Sequence, residues 1–204
     1  MRGTLLVSCM TTFHLVRHGA NDFLGHALAG RLPNVHLNEA GRLEARCVAE
    51  RLQAAPVTHI ISSPQGRCRE TAQPLAAALG LEIKISEALD EVDFAEWQGA
   101  KMSELATDER WGRWNSFRTG HVIPRGETMI AIQARMADEM IRLKNKFPGE
   151  HMALFSHGDP IRAVLCYWLG MPLDFIQRLE IAPGSISEVA IDHGTVTVRS
   201  LNRL

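Results

Sequence analysis

Phe13-His14-Leu15-Val16-Arg17-His18-Gly19, near the N-terminus, decides how the rest of the chain is read. Apolar Phe13, Leu15 and Val16 suit a strand of a covered sheet, and that strand ends abruptly on polar chemistry. Gly19 permits a tight turn and a close approach of a ligand to the backbone. An imidazole and a guanidinium at one strand end can share a crevice. Such a pair suits a phosphate group, with His18 attacking phosphorus and Arg17 holding its oxygens. A strand that merely ends in Arg-His-Gly is the ordinary alternative, so the remaining chain has to choose.

Outward from this stretch, residues 19 to 37 read as a long loop broken by Gly25, Gly30 and Pro33. Loops of that length inside a compact domain are usually functional. Asn38 is a helix cap, followed by an apolar stripe of Leu43, Cys47, Val48 and Leu52. His59 to Ser62 reads as a second strand. Pro64 opens a helix with Cys68, Ala72, Leu75 and Leu79 on its inner face, closed by Gly80. Leu81 to Ile85 is a third strand. Residues 86 to 126 lose clear periodicity and carry Trp97, Trp111 and Trp114, which reads as a covering insertion with short helices. From Thr128, Met129, Ile132, Met136, Met140, Leu143 and Phe147 recur at helical steps. His151 to Ser156 is a strand that again runs into His-Gly, at His157-Gly158. Asp159 is read as N-cap, with Pro160 at the first helical position. Arg178 to Ala182, Ile186 to Ile191 and Thr195 to Leu201 read as strands. Strands alternating with helices predict an α/β fold with a mostly parallel sheet and an antiparallel edge.

Bulk properties exclude several classes. A net charge of -1 gives no reason to expect nucleic acid or an anionic membrane as partner. No apolar run is long enough to span a bilayer. Cys9, Cys47, Cys68 and Cys166 are scattered, without C-x-x-C spacing, so zinc and thioredoxin-type sites are not indicated. Cys47, Cys68 and Cys166 read as small core residues in a reducing, cytoplasmic compartment. Leu6-Val7-Ser8-Cys9 resembles a lipoprotein cleavage box, but the run before it is too short for a signal segment. Residues 1 to 10 are therefore read as a short N-terminal extension.

Three strand ends now carry related residues: Arg17-His18-Gly19, Ser62-Ser63-Pro64-Gln65-Gly66-Arg67, and Ser156-His157-Gly158. Ligands of open α/β sheets bind at the carboxyl ends of strands. Phosphoryl transfer needs negative oxygens neutralised and a nucleophile in line. Arg17 and Arg67 offer planar, permanently charged forks, and a protonated His157 adds another donor. A neutral His18 can carry a covalent phosphoryl group. A carboxyl from Leu89-Asp90-Glu91-Val92-Asp93-Phe94 can protonate the departing alcohol and then take a proton from water.

Leu15-Val16-Arg17-His18-Gly19 resembles the signature of the histidine phosphatase superfamily, also called phosphoglycerate mutase-like. Ser62 to Ala72 is similar to its S-S-P-x-x-R-x-x-x-T-A block, Leu89 to Gly99 to its acid-bearing segment, and Pro124-Arg125-Gly126-Glu127-Thr128 to its P-x-G-E-S/T helix start. Ser156-His157-Gly158 resembles its second histidine motif. The blocks come in family order. Leu28 to Pro33 and Ser156 to Asp159 look most like a bacterial branch. The resemblance implies a three-layer α/β sandwich over residues 1 to 204, with residues 86 to 126 as an insertion above the strand ends. It implies His18 as the phosphorylated nucleophile, Arg17, Arg67 and His157 as the phosphate pocket, and Glu91 as proton donor. Asn21 and Gly158 join the substrate-binding set. Two departures stand out: Asn21 where a hydroxyl residue is frequent, and Ala95 where glycine is common. Asn21, Arg31 and Arg118 can reach the substrate, although solvated surface is the plainer reading of each, and Glu127 can be a simple helix-start carboxylate.

The expected activity is a cofactor- and metal-independent, histidine acid phosphatase-like phosphomonoesterase acting on a small phosphorylated metabolite. A homodimer is compatible with the chain. The alternatives are a phosphoglycerate mutase, disfavoured by a short segment before Pro124, and a non-catalytic module that binds phosphorylated ligands.

Overall fold

The computed structural model describes residues 10–204; the resemblance to a lipoprotein box at Leu6 to Cys9 and most of the expected extension lie outside them. The opening stretch forms strand β1, Thr11–Arg17. Its alternation sorts the core. Phe13 and Leu15 enter one apolar cluster, while Val16 enters another on the opposite face. Strands β2 (Val57–Ser62) and β4 (His151–Ser156) divide in the same way: Ile61, Met152 and Leu154 on the first face, Ile60, Ala153 and Phe155 on the second.

Helices α1 (Glu39–Leu52) and α2 (Gly66–Leu79) cover the second face. Helices α5 (Met129–Lys146) and α6 (Gly158–Leu169) cover the first. Between these pairs lie β3 (Ile83–Ile85) and two short helices, α3 (Met102–Leu105) and α4 (Glu109–Ser116). Strands β5 (Ile186–Ile191) and β6 (Val196–Arg203) complete a six-stranded sheet of order β3-β2-β4-β1-β5-β6. The β1–β4, β4–β2 and β2–β3 pairs are parallel, and β1–β5 and β5–β6 are antiparallel. This is the expected three-layer arrangement with an antiparallel edge. No described helix is long and apolar enough to cross a membrane.

Register sets the site. Arg17 pairs with Ser156 across β1 and β4, and Ser62 pairs with Phe155 across β2 and β4. The residues just beyond these strands, His18, His157 and Ser63, therefore emerge side by side.

Four local expectations are corrected. In α1, Leu43 is exposed and so is Cys47, whereas Gly41, Ala45, Val48, Ala49 and Leu52 face inward. Small residues occupy the contact because α1 comes backbone to backbone with the loop after β1. A Cβ on Gly41 would stand 2.0 Å from the Ala20 carbonyl oxygen, and one on Gly19 2.6 Å from the Gly41 oxygen. Helix α1 thus itself requires glycine at position 19. Second, residues 178–182 are not a strand. A 3₁₀ turn spans Leu173–Arg178, and the alternating Leu179 and Ile181 pack on the core without a ladder partner. Third, α6 is capped by His157, not Asp159. Asp159 lies inside the first turn, where its carboxylate takes two arginines instead. Finally, α2 begins at Gly66 with Gln65 as cap, so Pro64 precedes the helix.

Residues 86–126 form the expected group of short helices. Phe94, Trp97, Trp111 and Trp114 pack ring against ring, with centroids 5.2 to 6.2 Å apart. Ala95 in this segment adopts φ +45°, the left-handed region that costs a side chain energy and that glycine takes freely. That explains why a glycine is the commoner residue at this point of the motif.

Candidate active site

His18 leaves β1 with its backbone N–H donating to the Ser156 carbonyl at 3.0 Å. Gly19 N–H donates to Thr71 Oγ1 at 3.0 Å, and Thr71 in turn donates to the Arg67 carbonyl at 2.6 Å. The threonine four residues after Arg67 thus ties α2 to the loop that carries His18. The ring is buried, with Nδ1 2.8 Å from the Gly19 carbonyl oxygen. Nδ1 must carry the proton to donate there, which leaves the Nε2 lone pair free. Burial, and then Arg67 and Arg17, hold its pKa well below the ordinary histidine value, so the ring is neutral.

Arg17, Arg67 and His157 converge on this ring. The His18 and His157 ring centroids are 5.1 Å apart, edge to face. Arg17 donates from Nη1 to the Ile181 carbonyl at 2.6 Å. Arg67, only 1% exposed, donates from Nη2 to the Gly30 carbonyl at 2.7 Å and to His157 Nδ1 at 3.0 Å. Among the described residues, Arg17 Nε and Arg67 Nε and Nη1 are buried without any partner. Gly158 opens α6 against the Arg17 guanidinium; a Cβ there would lie 3.4 Å from its carbon. The first backbone N–H groups of that helix add a positive end to the pocket.

Glu91 approaches from the covering segment. Its backbone is clamped: its carbonyl accepts from Arg31 Nε at 2.8 Å and from Arg135 Nη2 at 3.2 Å, and Arg135 also holds the Ala88 and Asp90 carbonyls at 2.7 Å each. Glu127 accepts from both of these arginines, so it is more than a helix-start carboxylate. The Glu91 Oε2 stands 3.8 Å from His157 Nδ1. Burial, and next the Asp159 charge, push its carboxyl up to about 7, against Arg67 and Arg17.

Arg17, His18, Arg67, Glu91 and Gly158 line a cavity of about 400 Å³, and His157 is fully buried behind them. Phe23, Leu28, Phe94, Met102 and Trp111 give it apolar wall, and Asn115, Arg118, Asp159, Arg162 and Gln177 give it polar wall. Asn21 is buried at its edge, with Oδ1 accepting from Phe23 N–H at 3.0 Å. Arg118, read from sequence as surface, is 2% exposed, stacks on Trp114 with 3.5 Å to the ring centroid, and pairs with Asp159 at 3.0 Å. Arg162 takes the other Asp159 oxygen at 3.1 Å. Asp159 adjoins His157 in sequence and could have been suspected. Arg118 sits in the segment without periodicity, where the sequence offers it as a substrate contact but more plainly as surface. His14 lies apart, its Nε2 3.4 Å from His151 Nδ1. Among the described residues no three His, Cys, Asp or Glu side chains gather as a metal site.

Comparison with known proteins agrees with this geometry. The model of the histidine phosphatase superfamily (branch 1) matches residues 13–204. A Photorhabdus laumondii protein named "Probable phosphoglycerate mutase GpmB" is 31% identical over 186 residues, covering 90% of this chain and 86% of the relative. A Hydrogenobacter thermophilus protein with the provisional name phosphoserine phosphatase 2 is 26% identical, covering 96% of this chain and 97% of its own. The solved structure of a mycobacterial glucosyl-3-phosphoglycerate phosphatase superposes with a TM-score of 0.84 at 24% identity, over 96% of this chain and 100% of that one. The buried arginine pair, the two facing imidazoles and the match over residues 13–204 lead to one conclusion: the chain belongs to branch 1 of the histidine phosphatase superfamily.

Proposed function

We propose that the protein hydrolyses phosphomonoesters through a covalent phosphohistidine on His18, with Glu91 as proton donor. The observation that carries this reading is the set of unpaired buried guanidinium nitrogens on Arg17 and Arg67 beside a neutral imidazole. Buried charged donors without partners are costly, and a phosphate dianion is the ligand that satisfies two such forks at once. His18 Nε2 attacks phosphorus as the ester P–O bond breaks. Glu91, whose carboxyl is raised to about 7 and so keeps its proton in about half the molecules at pH 7, gives that proton to the leaving alcohol. Water then attacks phosphohistidine, its proton passes to Glu91, the P–N bond breaks, and inorganic phosphate leaves with His18 restored. Arg17, Arg67, His157, the Asn21 amide and the α6 N-terminus at Gly158 hold the oxygens. The substrate is a small phosphorylated metabolite whose alcohol meets the wall built by Phe23, Leu28 and Trp111. The cytoplasm fits its free cysteines.

Phosphate release from a broad panel of phosphomonoesters tests this. Wild type is expected to hydrolyse at least one class, and His18→Ala to lose activity by at least about 10³-fold. Unchanged hydrolysis by His18→Ala would sink the covalent mechanism, and an inert wild type would favour a phosphate-binding module. The mutase-named relative supports a second reading, in which the phosphoryl group returns to substrate. Isomerisation of 3-phosphoglycerate without net phosphate release would establish it.

A further inference from the structure

His157 is held by the protein at both ring nitrogens. Nδ1 lies 3.0 Å from Arg67 Nη2, and Nε2 lies 2.8 Å from Ser63 Oγ. A guanidinium only donates, so Nδ1 is an acceptor there. The Ser63 hydroxyl accepts from Gln65 N–H at 3.3 Å and faces Asp90 Oδ1 at 3.1 Å. Asp90 is buried and ringed by donors: Glu91 N–H at 2.8 Å, Gln65 Nε2 at 3.1 Å and Arg31 Nε at 3.4 Å. A carboxylate in that setting takes the single hydroxyl proton. Ser63 Oγ must then accept from His157 Nε2–H. The resting ring is the neutral Nε2–H tautomer, and it has no N–H left for a ligand.

We propose that Asp90, acting through Ser63, is a positioning pair that enables His157 to take a second proton at Nδ1 when a phosphate dianion enters. This rests on the phosphate-site reading given above. The proton comes from solvent. The new Nδ1–H donates to a phosphate oxygen, and the Arg67 Nη2–H released from Nδ1 turns to the same dianion. The imidazolium charge is balanced by Asp90, whose Oδ1 is 3.7 Å from Nε2.

The groups facing His157 account for the need. Burial opposes its protonation most, and Arg67 on α2, Arg135 on α5 and Arg17 at the end of β1 add to it. Glu91, 3.8 Å from Nδ1, stands on the other side of the balance; its carboxyl, raised to about 7, is only about half ionised at pH 7, and an incoming dianion protonates it further. Cys68 Sγ, 3.4 Å from Nε2, is kept a neutral thiol by burial. Asp90 is the carboxylate on the Nε2 side of the ring, and Ser63 joins the two. An incoming dianion then tips the balance.

The test is ¹⁵N-histidine NMR of wild type, Ser63→Ala and Asp90→Asn, each titrated with inorganic phosphate at pH 7.5. The His157 signal is assigned by its loss in His157→Asn. In phosphate-saturated wild type both His157 ring nitrogens are expected to be protonated. In both variants the ring stays neutral, and phosphate binds about tenfold more weakly, the equivalent of one pKa unit on the ring. Asp90→Asn keeps the shape while removing the charge and turning one acceptor oxygen into a donor. A purely structural role would weaken binding without changing the ring's protonation. A neutral ring in phosphate-bound wild type, or a doubly protonated ring in all three proteins, overturns the proposal, and wild type alone decides should a variant not fold. A protein that shows the switch but hydrolyses no ester would remove the phosphatase reading and leave this one standing.

Discussion

Glu91→Gln should separate the chemistry of that side chain from its cost to the fold. The carboxyl is 14% exposed, with Oε1 accepting from Val92 N–H at 2.9 Å. Burial and Asp159 raise it from an ordinary 4.5 to about 7. A carboxyl whose folded pKa lies above its unfolded value contributes most to stability below pH 4.5, and that contribution is lost as pH rises through 7. The gap of 2.5 (7 minus 4.5) corresponds to about 3.4 kcal/mol once both states are ionised. At pH 5 only about 0.8 kcal/mol of this has been lost, and at pH 8.5 nearly all of it. Glutamine does not titrate, so the stability of Glu91→Gln relative to wild type should rise by about 2.5 kcal/mol between those two pH values. Any fixed cost of the amide cancels in the difference. Urea unfolding of both proteins at pH 5 and pH 8.5 measures it, and phosphate release should fall by about 10²- to 10⁴-fold in the variant. A stability difference that is the same at both pH values would refute the raised pKa, and unchanged hydrolysis would refute the proton-donor role.

Ala95→Gly should stabilise the fold by about 0.5 to 1 kcal/mol, because the residue sits at φ +45°; a lower urea midpoint would contradict this. Gly41→Ala should cost about 2 to 3 kcal/mol, since its Cβ would meet the Ala20 carbonyl oxygen at 2.0 Å. It should slow hydrolysis as well, because Ala20 adjoins the His18 loop. Gly112→Ala is the control: nothing lies within 4 Å of its Cβ in α4, and a gain of about 1 kcal/mol is expected. Arg118→Met leaves the partly buried Asp159 with Arg162 alone, and a loss of about 3 kcal/mol is expected by thermal or urea unfolding. A neutral result there would mean that Arg162 alone satisfies Asp159.

The strands carrying the site were legible because their signals are local. Phe13 to Val16, Ile60 to Ser62 and Met152 to Ser156 are short apolar runs that stop on polar residues, and each is a strand. The α5 stripe from Met129 to Leu143 was legible for the same reason, a 3.6-residue period over about four turns. Alternation misled at Leu179 and Ile181, where two apolar residues two apart pack without a neighbouring strand. Hydrophobicity misled in α1, where the contact is made by Gly41, Ala45 and Ala49, which carry almost no apolar signal. Arg118 looked like surface because charge alone does not reveal that Trp114 and Asp159 await it.

The sequence by itself determined the order of elements and the chemistry offered at three strand ends: Arg17 and His18, Arg67, and His157. Those depend on residue type and spacing along the chain. Only the tertiary structure decided what that chemistry experiences. The neutrality of His18, the raised Glu91 carboxyl, the Asp90–Ser63–His157 chain and the Arg118–Asp159–Arg162 cluster join residues from 3 to 94 positions apart. Their meeting follows from sheet register and helix packing. Burial and nearby charge, which set each proton's place, exist only once those elements close on one another.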